Sequence, residues 1–142
     1  MTNQHCLLLT AVAAVLLTAT SANQPRTVPT AYTMLQQYGF PPGIIPEGVQ
    51  DYELRQDGYF EVHYSDDCNL RVGGFRLHYS SRLAGNIQNG SISGLEGVKV
   101  KILLSWFGIR KVSRDGDQLR VHAGAITKSF PVGDFSFSPQ CH

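Results

Sequence analysis

The chain has 142 residues, with 12 Lys and Arg against 11 Asp and Glu, for a formal net charge of +1. A total so near neutral argues against nucleic acid or an anionic membrane as an obligate partner, because both demand a basic surface. The length suits one domain built on a single core.

Residues 7–19 are an almost unbroken run of apolar and small side chains, followed by Thr20-Ser21-Ala22. A short apolar run before a small-residue cleavage site is the pattern of a secretory signal peptide, and it falls short of the ~20 residues a membrane span needs. Cleavage is expected after Ala22. Residues 1–22 are then signal peptide, 23–29 a flexible polar segment with prolines, and 30–142 a single domain. The expected address is extracellular or the endomembrane lumen, with no transmembrane segment in the mature chain and a monomeric state. Loss of Cys6 with the signal leaves Cys68 and Cys141, which an oxidising compartment would join in a disulfide. Asn89-Gly90-Ser91 is the one N-x-S/T sequon, so Asn89 is a glycosylation candidate.

Thr30 is placed to cap a helix of about two turns, because Ala31, Met34, Leu35 and Tyr38 repeat with helical spacing. Gly39 then supplies the left-handed stop, Phe40 packs back, and Pro41-Pro42 forbid continuation. Residues 41–46, Pro-Pro-Gly-Ile-Ile-Pro, form a stiff apolar connector. Ile44 and Ile45 are expected to plug one end of the core or to line a ligand entrance.

From residue 49 onward the pattern is that of strands: 49–54, 59–64, 68–72, and a longer one from Phe75 that bends at Ser80-Ser81 and runs on to Ile87. A bulge there would curl the sheet. After a strand at 91–95, residues 97–117 are expected to hold the central strand. In it Val98, Val100, Ile102, Leu104 and Trp106 alternate with Lys99, Lys101, Leu103 and Ser105. Asp115-Gly116 is expected at the centre of a type I′ turn, with the return strand at 118–122. A final strand over 123–130 precedes a tail whose Phe135 and Phe137 share a docking face. About eight strands with short turns after one helix imply an all-β, mainly antiparallel fold: a small β-barrel or folded-over sheet with one short N-terminal α-helix.

Chemical motifs are sparse. The chain has no G-x-S-x-G, no H-x-x-x-H or C-x-x-C spacing and no phosphate-cradling glycine loop. His63, Asp66 and Asp67 are near neighbours, but an exposed strand end before an acidic turn accounts for them, and no metal or cofactor is expected. His63, His78 and His122 fall at solvated strand positions, and Arg71, Arg76 and Arg82 could gather on one sheet face. No catalytic residue is assigned. The candidate ligand site is apolar instead: Phe40, Ile44 and Ile45 of the connector with Leu104, Trp106 and Phe107 of the central strand. If that region is not fully packed, it would hold an apolar or amphipathic, lipid-like small molecule. The alternatives are a hydrolase of a cell-wall or pigment ester working through a histidine, and an extracellular module that contacts a wall polymer or another protein.

Several stretches, in order, carry a family likeness: Ala31-Tyr32 through Tyr38-Gly39-Phe40-Pro41, Gly43-Ile44-Ile45-Pro46-Glu47-Gly48-Val49, Leu95-Glu96-Gly97-Val98-Lys99-Val100-Lys101, Arg114-Asp115-Gly116-Asp117, Phe130-Pro131-Val132 and Ser138-Pro139-Gln140-Cys141. Together they resemble the plant domain-of-unknown-function 538 family (DUF538). That resemblance implies a small β-barrel-like domain with an N-terminal helix, the two cysteines of secreted members, and an apoplastic address. The family has no established activity; the proposals attached to it are a likeness to lipid-binding bactericidal/permeability-increasing domains and a hydrolase role in plant stress. The resemblance carries no catalytic motif onto this chain.

Overall fold

The structure, a computed structural model, describes residues 30–141; the expected signal peptide at 1–22 and the segment 23–29 lie outside them. Helix α1 (Ala31–Gln37) starts where the sequence asks: the Thr30 hydroxyl accepts the Thr33 N–H at 3.1 Å, and Ala31, Met34 and Leu35 face inward. It ends in a Schellman arrangement. Gly39 takes φ +89°, its N–H donates to the Gln36 carbonyl and the Phe40 N–H to that of Leu35. That reversal drives Phe40 into the core.

After a 3-10 turn (Pro42–Ile44) the described residues form eight strands: β1 (Asp51–Leu54), β2 (Tyr59–His63), β3 (Cys68–Val72), β4 (Phe75–Gln88), β5 (Ser91–Ile102), β6 (Ser105–Asp115), β7 (Gln118–Ala123) and β8 (Ile126–Pro131). A second 3-10 turn, Val132–Phe135, closes the series. All neighbours are antiparallel, in the order β1-β2-β4-β5-β6-β7-β8, with β3 paired to the free half of β4.

The sheet folds over because two long strands carry excess length. Tyr79 of β4 pairs with Val98 and Ala84 with Glu96, so residues 80–83 lie opposite Gly97 alone. On the next edge, residues 93–98 of β5 lie opposite 109–111 of β6. Unequal lengths across a ladder bend the longer strand and raise its twist. The first half of β4 therefore serves β3 and the second half serves β2. The result is a folded-over sheet, not a closed barrel: β8 hydrogen-bonds only to β7.

Registers also sort the connections to two ends. The Gly73-Gly74, Leu103-Leu104 and Gly124-Ala125 turns lie together at what we call the turn end. The turns at Gly58, Asn89-Gly90 and Gly116-Asp117 lie at the helix end, where the Gly90 N–H donates to the Tyr38 carbonyl at 2.8 Å. The Cys68–Cys141 disulfide ties the tail to β3. Along the way Ser138 donates to the Pro42 carbonyl and Glu47 N–H to that of Pro139, both at 2.9 Å.

Three local expectations are corrected. The central strand does not continue to Trp106: Ile102 pairs with Ser105, and Leu103-Leu104 is a two-residue turn with each side chain 91% exposed. Trp106 consequently faces outward opposite Lys101, and Gly97, expected to precede the central strand as a break after 91–95, lies inside β5. The alternating pattern contains no turn residue at 103–104, because Leu103 itself adopts φ +59° there. At the next hairpin Asp115 pairs with Gln118, so Gly116-Asp117 forms the turn and only Gly116 has positive φ. Finally, the second 3-10 turn changes the phase of the tail, burying part of Phe135 and leaving Phe137 exposed.

Candidate ligand-binding cavity

The two halves of the folded sheet turn apolar inner faces toward each other, as strand alternation requires. They enclose a cavity of about 310 Å³. Toward the helix end its wall consists of fully covered side chains, among them Leu35, Phe60, Val62, Leu83 and Leu119. Toward the turn end the lining residues Val72, Phe75, Ile102, Ile126 and Lys128 are partly or largely exposed. The cavity is thus closed at one end and reaches solvent at the other.

The closed end is held by hydroxyls. A proline-rich connector has few N–H groups, and its buried carbonyls must find donors elsewhere. Tyr32 and Tyr64 both donate to the Pro46 carbonyl, at 2.9 and 2.6 Å, and Tyr79 donates to that of Ile44 at 2.9 Å. Burial pushes the Tyr64 and Tyr79 hydroxyls well above the ordinary phenol range, which keeps both protonated as donors. Tyr79 also lines the cavity, but its polar atom is already engaged.

The open end lies beside the seam where β8 faces β4 across the interior with no backbone ladder between them. Rings bridge it. Phe75 of β4 meets Phe130 of β8 edge-on at 6.1 Å, and Phe130 meets Phe135 in the same way at 6.1 Å. The Lys128 ammonium stands 5.6 Å from the Phe75 ring centre. Among the described residues, Lys128 is the one charged member of the lining.

Of the residues singled out from sequence, Ile44 and Ile45 line the cavity. Phe40 is buried beside it in the core, and Phe107 packs against the core opposite Val100. Leu104 and Trp106 lie outside, on the turn and the outer face. The seam residues Phe75, Lys128 and Phe130 were not anticipated. Their signal was the alternation Ile126, Lys128, Phe130, in which a lysine occupies an inward position normally read as apolar.

The family described as "Protein of unknown function, DUF538" matches residues 31–136. The chain belongs to this family. No curated protein and no solved structure matches it. The matched span takes in α1, the connector, all eight strands and the second 3-10 turn, and hence every residue lining the cavity of this DUF538 chain.

Polar chemistry in the DUF538 domain lies on the outer face. His63 of β2 is held between Asp51, at 2.6 Å, and Glu61, at 3.0 Å. Glu61 also accepts from Arg82 and Tyr59, at 2.9 and 2.5 Å. His78 bonds Asn69 and approaches Asp67, while His122 meets Thr127 across β7 and β8. The three histidines thus occupy separate strands, and none lines the cavity. Asp67 serves the Ser81 N–H and His78 rather than His63, and no metal-holding group of His, Cys, Asp or Glu occurs among the described residues. Arg71 and Arg76 do meet as a cross-strand pair, whereas Arg82 belongs to Glu61.

The Arg82 and Tyr59 hydrogen bonds hold the Glu61 carboxyl down at about 2. A carboxyl depressed on folding contributes stability that is complete above its ordinary value of 4.5 and is lost as pH falls toward about 2. Glu61→Gln is therefore expected to flatten the acid limb of the stability profile. An unchanged slope in urea titrations between those pH values would show that Glu61 does not carry it. Asp51 raises the His63 imidazole, a contribution present below its ordinary value and lost as pH rises through the folded one.

Proposed function

We propose that this chain is a secreted, non-enzymatic binding module that holds one amphipathic molecule, an apolar body with an anionic head. The observation that carries it is the cavity of about 310 Å³, whose lining is apolar apart from the engaged Tyr79 hydroxyl and Lys128 at the open end. Small-molecule sites run from about 300 to 1,000 Å³ and combine apolar walls with a few polar groups that fix orientation. This volume suits a single chain or small ring system. The ligand tail would lie against Ile44, Ile45 and the inner strands, and its head would sit within reach of Lys128. A disulfide and an exposed Asn89 accord with passage through an oxidising secretory compartment, where Asn89 would carry a glycan. The hydrolase and surface-module alternatives have less support, because the histidines stand apart from the cavity and from one another.

Binding is tested by titrating the disulfide-intact mature protein with palmitate and with the uncharged alcohol of equal length. Palmitate is expected to bind more tightly. Lys128→Met should erase most of that preference, and Val100→Trp, which fills the cavity, should abolish binding while the circular dichroism spectrum persists. Full affinity in the Val100→Trp protein would place the ligand elsewhere.

A further inference from the structure

The near-neutral total charge conceals a segregated one. Residues 68–95, 97–114 and 118–133 supply nearly all of β3 to β8 and contain no Asp or Glu. At the turn end their registers set Arg71 opposite Arg76, Arg76 opposite Lys101, and Lys101 opposite Trp106. Directly opposed like charges repel across a ladder. Among the described residues, no carboxylate lies within ion-pair distance of Arg71, Arg76 or Lys101 to relieve them. Lys101 instead stands 5.9 Å from the Trp106 ring centre.

Beside this row projects the Leu103-Leu104 turn. A two-residue hairpin loop with positive φ only at its first residue is normally built on glycine at that position. The neighbouring loop of the same pattern obeys this, with Gly124 at φ +61°, and the third turn uses Gly73-Gly74. Among the described residues, Leu103 alone takes a positive φ, +59°, with a bulky side chain, and both leucines are 91% exposed. Strain and exposure at one spot oppose stability twice, and an outlier of this kind points to a function. Trp106, 45% exposed, flanks the turn.

We propose that the turn end docks on an anionic lipid bilayer. Leu103 and Leu104 insert among the acyl chains, Trp106 lies at headgroup depth, and Arg71, Arg76 and Lys101 meet the lipid phosphates. Each part matches its layer: apolar tip, interfacial indole, basic collar. The unbalanced cations select a membrane over an apolar protein groove, which would have to bury them. The mouth of the cavity opens at the same end, beside Phe75 and Ile126.

The test is co-sedimentation of the disulfide-intact mature protein with phosphatidylcholine vesicles, with and without phosphatidylglycerol. Sedimentation is expected with the anionic vesicles and should weaken as salt rises. The pair Leu103→Asn and Leu104→Ser should lower vesicle affinity at least about tenfold, since two buried leucines are lost from the contact. Its melting temperature should hold or rise, because Asn tolerates the left-handed conformation. Arg76→Glu with Lys101→Glu should also release the protein. Equal binding to neutral vesicles, no binding to either, or full affinity in the leucine pair would overturn the proposal. The cavity-filled Val100→Trp protein is expected to sediment like the parent, so docking and ligand binding stand or fall separately.

Discussion

Replacing Cys68 and Cys141 together by serine is expected to lower the unfolding free energy by about 4 kcal/mol, the chain-entropy figure for a loop of this size. The bridge spans 73 residues of sequence, from the start of β3 to the end of the described chain. Loop closure alone understates what depends on it. The tail it anchors covers the connector, where a Cβ on Gly43 would stand only 2.3 Å from the Phe135 carbonyl oxygen. That close approach lets Phe135 reach the cavity wall. Loss of the bridge should therefore weaken ligand binding as well as stability, both measured on the serine double variant by urea unfolding and palmitate titration. A loss below about 1 kcal/mol would mean that the tail stays docked through its contacts with Pro42 and Glu47 alone.

The second large effect is expected at Gly97. Its φ is +100°, and a Cβ there would lie 2.5 Å from the Arg82 carbonyl oxygen and 3.0 Å from Leu83 Cδ2. Left-handed backbone costs a non-glycine residue about 1–2 kcal/mol, and forcing a methyl against fixed backbone costs about 1–3 kcal/mol more. Gly97→Ala should then destabilise by about 3 kcal/mol. Position matters as much as size, because Gly97 is the single residue facing 80–83 where β4 bends. Moving it would unbend the sheet and close the space between its halves. A Gly97→Ala protein with an unchanged urea midpoint would show that the fold-over is fixed elsewhere.

Much of this architecture is legible in the sequence. The cap at Thr30, the stop at Gly39 and the strand limits at Cys68 and Val72 follow from local chemistry, and the structure places them as read. The bend at Ser80-Ser81 is also visible, because polar residues interrupt an apolar alternation inside a long strand. What escapes such a reading is a turn without a turn residue. Period two continues unbroken across residues 98–106, so Leu103-Leu104 reads as strand interior, and the error carries Trp106 to the wrong face. Of the apolar site, the connector half is legible because prolines fence Ile44 and Ile45. The seam half is not, because Phe75 and Phe130 meet only after the sheet between them has folded over, a contact no local pattern encodes.

The seam has a kinetic consequence. Among the described residues, three strands bond a neighbour on one side only, β1, β3 and β8. Strand β1 lines none of the cavity, and β3 is fastened by its cysteine, which leaves β8 as the loosest part of the wall. Peeling it back breaks one ladder and a few ring contacts while the rest of the sheet stays intact. Local openings of this sort lie far below the free energy of global unfolding. The residence time of a bound molecule would then be governed by β8, independently of how hard the domain is to melt. Substitutions at Phe75 or Phe130 would change how fast cargo leaves, and substitutions in α1 or β2 would change how hot the protein survives.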